Sequence, residues 1–480
     1  MDQKLKSSQV NVLEKADDIM NEAVEKAGDL LCSKPQVAEI ILRQLLKCDP
    51  EHLSGLQLLG LCKHRLGENA EAVEIIQSAL EIDETNADNW NNLGLAYSGL
   101  QQHERAIVAI KNAIKYKPSQ FLFKNNLALQ YRALGDYDNA IKSLREAIDT
   151  KEQPQLWLNL GGIFGEIRDI ENAKRCFERS IELDPEYAAG HVDMAFVHHL
   201  NGDWKKGFES YEWRFWYYPQ MKFYLNSFDQ TKKWDGKADL NGKTVFVYGE
   251  QGLGDIIMFS RYAKELKSRG AHVIMHVPQS LAELVKRIDG VDDVNTHDIF
   301  SNKGEPLPDY DYQFSLMSAV HLLNIEKIDG SQYIKPITES FKDYIKEDYG
   351  NTFNIGVVWA GNPAHPHDQK RSIHLKNFKH IQDVPGVKLF SLQMDLSKRQ
   401  YGATIRNVSG DDSCNTKFVS EKGVVDYCEG CDEIRLVDLS KMIQSFEDTA
   451  TILAGLDMVI CCDTATAHLA GAMGVPVWVM

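Results

Sequence analysis

Two short segments of this chain carry residue types suited to holding an anion and moving a proton. The first is Gly249-Glu250-Gln251-Gly252-Leu253-Gly254-Asp255, a glycine-rich turn that ends in a carboxylate. The second is Asp463-Thr464-Ala465-Thr466-Ala467-His468, where an acid, two hydroxyls and small side chains precede a histidine. A carboxylate at a turn can take the proton of an attacking hydroxyl. A helix start with small side chains presents backbone amides at the positive end of the dipole, where a diphosphate is the natural guest. In this reading Asp463 is the N-cap. Thr464, Ala465 and Thr466 face the anion, and His468, one turn in, reaches the same ligand. An ordinary capped helix with a core histidine accounts for the same residues equally well. The plain role of Asp255 is to cap the helix that follows it.

Two familiar phosphate motifs are excluded. A dinucleotide fingerprint opened at Gly252 needs glycine at 257, where the chain has Ile257. A phosphate loop opened at Gly249 reaches Gly254 and then needs lysine, where the chain has Asp255. What remains is a turn at the carboxyl end of a strand, the place where α/β proteins bind ligands. Cys428-Glu429-Gly430-Cys431 has zinc-ligand spacing and Cys414 is a third thiol, but the insertion 395–433 holds no histidine and no fourth cysteine. A loop with ordinary thiols is expected there, and no metal is assigned. Cys461 and Cys462 are expected to be small buried hydrophobes.

The elements that would position these residues are a run of short strands alternating with helices. Thr244–Tyr248 and His272–Val277 read as strands around the glycine turn. Asn354–Trp359, Val387–Leu392 and Asp457–Cys461 form a second set, with Val475–Val479 as an edge strand. This alternation implies parallel sheets with crossover helices.

The first half follows another rule. Leu59-Gly60, Leu93-Gly94, Leu127-Ala128 and Leu160-Gly161 recur at spacings of 34, 34 and 33. Small residues (Ala72, Ala106, Ala140, Ala173), bulky ones (Ile76, Ile110, Leu144, Phe177) and a second small set (Ala79, Ala113, Ala147, Ser180) keep the same register. Each unit reads as a helical hairpin that cannot bury its apolar face alone, so the units stack into a solenoid. About six units are expected over residues 16–215. Trp90, Tyr97 and Tyr131 are expected to pack between helices. The aromatic run Tyr211–Tyr218 is expected to join the last repeat helix to the next domain.

The 480 residues carry 69 acidic and 53 basic side chains, a formal charge of −16, with no concentrated basic run. That balance disfavours nucleic acid and anionic membranes as partners. No stretch of about 18 apolar residues suggests a spanning helix. The polar start Met1-Asp2-Gln3-Lys4 and the nine cysteines lead to the expectation of a cytoplasmic protein with reduced thiols.

The repeat register resembles the tetratricopeptide repeat, most closely at Trp90, Leu93, Gly94, Tyr97, Ala106, Ala113 and Pro118. Gly254-Asp255, Trp359-Ala360-Gly361-Asn362, Arg371-Ser372-Ile373 and Asp463-Thr464 with His468-Leu469-Ala470 together resemble the ADP-heptose:lipopolysaccharide heptosyltransferase-like glycosyltransferases. The combined architecture is similar to protein O-linked N-acetylglucosamine transferases. That resemblance implies a GT-B fold of two Rossmann-like domains and a nucleotide-sugar bound without metal or cofactor. It implies Asp255 as the general base. It assigns Gly252, Gly254, Gly361, Asn362, Arg371, Asp463, Thr464, Ala465, Thr466 and His468 to nucleotide-sugar binding. The usual glycine after the threonine is Ala465 here.

The expected organisation is an α-solenoid over 1–232, an acceptor-side Rossmann-like domain over 233–345, and a nucleotide-sugar-side domain over 346–480. The family continues beyond the strand at which Met480 stands, so a shortened C-terminus is expected. The expected function is a metal-independent glycosyltransferase that moves a sugar from a nucleotide-diphospho-sugar to a hydroxyl of a protein or glycan acceptor recruited by the repeats. Two alternatives stand beside it. One is a non-catalytic repeat scaffold with a relic GT-B half. The other is a sugar-nucleotide epimerase of the same architecture, which leaves the repeats unexplained.

Overall fold

The computed structural model describes residues 18–297, 307–335, 340–361, 368–373, 375–394, 419–421, 424–426 and 435–480. The chain folds as two compact units, Met1–Gly202 and Asp203–Met480.

The first unit is helical throughout its described residues. Residues 18–30 pair with Pro35–Cys48, and Leu53–Arg65 pairs with Asn69–Ile82. Ala87–Gly99 pairs with His103–Tyr116, Phe121–Ala133 with Tyr137–Thr150, and Pro154–Glu166 with Ile170–Leu183. Helix Ala188–Leu200 follows. The small residues of the repeat register are what let the helices of a pair approach. A Cβ placed on Gly94 would stand 2.5 Å from Cγ1 of Ile110, and one on Gly161 would stand 2.5 Å from Cε1 of Phe177. Ala72, Ala106, Ala140, Ala79, Ala113 and Ala147 have no exposed surface. Ile76, Ile110 and Phe177 therefore lie against the backbone of the facing helix at Gly60, Gly94 and Gly161, where a side chain would collide with them.

The turns inside the hairpins from Leu53 onward use a left-handed residue. Gly67, Gly135 and Gly202 supply it at φ 81°, 75° and 76°. In the same register stand Gln101 and Arg168, with φ 59° and 62°. The backbone path is thus imposed by helix packing even where the side chain disfavours it.

The second unit holds two sheets. Strands β1 (Thr244–Tyr248), β2 (His272–His276), β3 (Asp293–Asn295) and β4 (Tyr312–Ser315) form an all-parallel sheet in the order β3-β2-β1-β4. The other strands are β5 (Phe353–Val358), β6 (Val387–Ser391), β7 (Val419–Glu421), β8 (Val424–Asp426), β9 (Arg435–Asp438), β10 (Met458–Cys461) and β11 (Val477–Val479). They run in the order β11-β10-β5-β6-β9-β8-β7. β11 to β9 are mutually parallel, and β8 and β7 join as an antiparallel hairpin. One continuous core of Val245, Val247, Phe314, Val358, Val459 and Leu469, among others, serves both sheets.

The strands expected around the glycine turn and at Asp457–Cys461 are present within a residue or two, and β11 is an edge strand. β3, β4 and β9 carry no β-branched run and fall outside the expected strands. Tyr211–Tyr218 belongs to the second unit, not to the end of a solenoid reaching residue 232. Phe215 packs in one cluster with Tyr224, Phe228 and the β1 residues Phe246 and Tyr248. Phe228 stacks on Tyr248 at 4.3 Å between centroids. Arg214 pairs with the buried carboxylate of Glu250 just beyond β1, and the aromatic segment follows it into this unit. Cys414, Cys428 and Cys431 lie outside the described residues.

Candidate functional site

The chain leaves β1 at Tyr248 and turns into helix Leu253–Phe259, with Gly252 as its N-cap (φ −62°, ψ 163°). Asp255 is the third residue of that helix. Facing it is the start of helix Ala465–Ala472. The two helix starts touch at Gly254: a Cβ there would stand 2.5 Å from Cδ2 of His468 and 3.4 Å from Cα of Ala465. Glycine at this point is a requirement of close approach. A carboxylate from one sheet and a histidine from the other are thereby brought together across 213 residues of sequence.

Asp255 is half-buried, and burial raises its pKa above the ordinary carboxylate value. The His468 imidazole and the Gly252 amide draw it back, while the Asp463 carboxylate raises it further. The Gly252 amide contact is the N-terminal capping role that the sequence allows for Asp255.

Asp463 is not the N-cap. Thr464 is, with extended backbone at φ −145° and ψ 167°, and its side chain makes no capping bond. The reason is that strand pairing persists past β10: the Cys462 amide still donates to the Val358 carbonyl at 3.0 Å. The helix accordingly begins one residue later than the Asp463 cap requires. Thr464 Oγ1 is buried and has no hydrogen-bond partner among the described residues. The amides of Ala465 and Thr466 have no acceptor within the helix. Asp463 projects its exposed carboxylate to 3.9 Å from His468 Nε2.

Arg371 reaches the same loop from another side. Its Nη1 donates to the Asp463 carbonyl at 3.2 Å, and its Nε donates to Asp368 Oδ1 at 3.1 Å. The guanidinium lies directly over Gly361, where a Cβ would meet Nη2 at 2.6 Å. Gly361, Arg371, Asp463 and Thr464 therefore form one group. They sit at the carboxyl ends of β5 and β10, adjacent strands from which the sheet order runs in opposite directions. That is the topological switch point, where open α/β sheets bind ligands. Asn362 lies outside the described residues.

The corresponding switch point of the first sheet, between β1 and β4, is filled by the chain itself. Arg214 is 0 % exposed. Its Nε donates to Glu250 Oε1 at 2.7 Å and its Nη1 to Glu212 Oε1 at 2.7 Å. Its Nη2 donates to Ser318 Oγ at 2.9 Å and Ser315 Oγ at 3.3 Å. The Arg214 charge holds the Glu212 carboxyl below its ordinary pKa against the opposing effect of burial. Glu250 Oε2 is buried without a partner among the described residues. This network anchors the glycine turn that carries Asp255. Sequence reasoning assigned no role to Arg214, Glu212 or Glu250. The available signal was a lone guanidinium inside an aromatic run, which needs a buried anion.

In the first unit, Asn91, Asn125 and Asn159 recur at spacings of 34, a polar column beside the apolar register. Asn126 Nδ2 donates to Asn91 Oδ1 at 2.8 Å, and Asn159 Nδ2 donates to Asn125 Oδ1 at 2.7 Å. Asp193 stands at the next position of that spacing. Burial pushes its pKa up to about 6, with Arg132 opposing. Cys461 and Cys462 are buried as expected, and burial pushes their thiols up to about 12 and about 11. Among the described residues, no group of three or more His, Cys, Asp or Glu could hold a metal ion, and no helix is long and apolar enough to cross a membrane.

Tetratricopeptide-repeat family models match residues 53–86, 91–156 and 154–187. The first unit is built of tetratricopeptide repeats. Among solved structures, the chain is similar to TTC0263, a thermophilic tetratricopeptide-repeat protein of Thermus thermophilus. The identity is 19 % over 37 % of this chain and 98 % of that one, with a TM-score of 0.35. It is also similar to PilF of Pseudomonas aeruginosa, at 17 % identity over 44 % of this chain and 99 % of that one, with a TM-score of 0.38. Among curated proteins it is similar to protein FlbA of Caulobacter vibrioides, 21 % identical over 392 residues. That alignment covers 68 % of this chain and 60 % of FlbA, so the chain spans less than two thirds of the relative's length.

Proposed function

We propose that the second unit is a GT-B glycosyltransferase that moves a sugar from a nucleotide-diphospho-sugar to a hydroxyl, and that the tetratricopeptide repeats recruit the protein or glycan bearing that hydroxyl. The observation that carries this reading is the meeting of Asp255 with the Thr464–His468 helix start at a sheet switch point. In the proposed reaction the diphosphate lies on the amides of Ala465 and Thr466. The Thr464 and Thr466 hydroxyls add hydrogen bonds, and Arg371 contributes positive charge. Charge that develops on the leaving diphosphate is stabilised by groups already in place, so no metal is required. Asp255 takes the acceptor proton as the sugar–phosphate bond breaks, and burial, by raising its pKa, makes it a stronger base than an ordinary carboxylate. The tetratricopeptide repeats support recruitment of a protein partner.

A specific observation favours a second reading, a protein-binding scaffold without catalysis. Arg371 is already paired with Asp368, which lowers its availability to phosphate. The test is a panel of nucleoside diphosphates and nucleotide-sugars, scored by thermal stabilisation and by slow hydrolysis of the sugar. The transferase reading expects one nucleotide series to stabilise the second unit. It also expects Asp255→Asn to abolish hydrolysis while leaving that stabilisation intact. No response to any member of the panel would leave the scaffold.

A further inference from the structure

The first unit carries a groove of about 800 Å³ between consecutive hairpins. Its floor is Leu93 and Tyr97, and its walls are Ile82, Trp90 and Val108. Trp90 Nε1 donates to the Glu84 carbonyl at 2.8 Å, which fixes the indole in the wall. Arg105 lies 4.2 Å from the Tyr97 ring centre and donates to the Tyr97 hydroxyl at 2.8 Å, so this cation is engaged with the floor.

The repeat register shows that the groove is a local departure and not a property of every hairpin. Val108 is 62 % exposed. At the same register position three of the other hairpins have Glu74, Lys142 and Arg175, charged residues suited to water, and the first has Ile40, itself exposed. Ile82, across the groove, is 46 % exposed. Here two exposed aliphatic side chains stand over a floor that includes Tyr97. On the rim stand the carboxylates of Glu81 and Glu84, neither in an ion pair among the described residues. A pair of uncompensated acids beside an apolar slot selects a cation flanking an apolar group, and the formal charge of −16 favours encounter with basic partners.

We propose that this groove docks a partner polypeptide segment in which one leucine-sized side chain is flanked by arginine or lysine. The apolar side chain enters between Val108 and Ile82, and the flanking cations meet Glu81 and Glu84. The inference is independent of any chemistry in the second unit. A pocket of this volume is of the size that ordinarily holds a small ligand or a few side chains.

The experiment uses the full chain and fluorescein-labelled peptides of ten residues with a central Arg-Leu-Arg, Arg-Ala-Arg or Asp-Leu-Asp, read by anisotropy. The Arg-Leu-Arg peptide is expected to bind at least tenfold more tightly than either control. Val108→Glu, at an exposed position, is expected to weaken it tenfold or more with an unchanged unfolding midpoint. Glu81→Lys with Glu84→Lys is expected to move the preference toward Asp-Leu-Asp. Equal binding of the Arg-Leu-Arg and Arg-Ala-Arg peptides would reduce the effect to general charge attraction and overturn the proposal. So would indifference to Val108→Glu. Concentration-dependent self-association that Val108→Glu abolishes would assign the groove to a second copy of this chain, and that too overturns it.

Discussion

Arg214→Met removes the cation shared by Glu212 and Glu250 while keeping much of the aliphatic stem. Arg214 and the Glu250 side chain are both 0 % exposed, so water cannot replace the lost partner. Glu250 Oε2 already lacks a hydrogen bond among the described residues, which leaves the carboxylate no alternative within the network. Breaking a buried pair in this way costs about 3–5 kcal/mol. The second unit exceeds 250 residues, for which 1 kcal/mol shifts Tm by roughly 2 °C, so a fall of about 6–10 °C is expected. Scanning calorimetry of the full chain measures it, with the solenoid transition as an internal control. Neutralising the anions as well, by Glu212→Gln and Glu250→Gln on top of Arg214→Met, is expected to restore at least half of the loss. The loss also has a pH dependence. Arg214 depresses the Glu212 pKa, so the stabilisation is complete above the ordinary carboxylate range and disappears as the pH falls through the lowered value. The gap between wild type and Arg214→Met is therefore full at pH 7 and closes in acid. A single variant that costs less than about 1 kcal/mol at pH 7 would refute the reasoning, since the network would then be surrounded by water or already neutral.

Asp193 offers the opposite sign. A folded pKa of about 6, above the ordinary 3.8, means that the unfolded chain gives up its proton first. Stability then declines as the pH rises from about 4 to about 6, by up to roughly 3 kcal/mol. Asp193→Asn is expected to raise Tm at pH 7.5 and leave it unchanged at pH 3.5; equal effects at both values would exclude a raised pKa. Gln101→Gly relieves a left-handed residue that costs roughly 1–2 kcal/mol, against up to about 1 kcal/mol of added chain entropy. A gain of about 0.5–1 kcal/mol in urea unfolding is expected, and a loss would show that the Gln101 side chain contributes more than its strain costs. Gly94→Ala forces a Cβ to 2.5 Å from Ile110 Cγ1, so a destabilisation of roughly 1–3 kcal/mol should appear in the solenoid transition. An unchanged solenoid Tm would mean that the hairpin opens freely at this point.

The solenoid was legible because its rules are local and repeated. Ala106 and Ile110 lie one helical turn apart, and the facing Gly94 is only 12 residues upstream of Ala106. Strands β1 and β5 were legible for a similar reason: Thr244–Tyr248 and Phe353–Val358 are rich in residues that suit a buried sheet. β3, with the sequence Asp293-Val294-Asn295, has no such character and is a strand only because β2 presents a ladder to it. The helix cap moved from Asp463 to Thr464 for a related reason, since a neighbouring strand held Cys462 extended. Local propensity could not report either neighbour.

Composition and spacing alone determined the repeat period, the small-on-large packing, the parallel-strand segments and the shortlist of acids, hydroxyls and histidine around the glycine turn and the last long helix. Those properties depend on side chains a few residues apart, or on a register repeated four times. The tertiary structure alone decided that Gly254 admits His468, that Arg371 grips the Asp463 carbonyl and that Arg214 fills the crevice of the first sheet. Each of these joins segments separated by about 90 to more than 200 residues, or sets a buried charge against a partner that no local pattern announces. Their energies depend on burial and on distances of a few ångströms, which exist only after the sheets have formed.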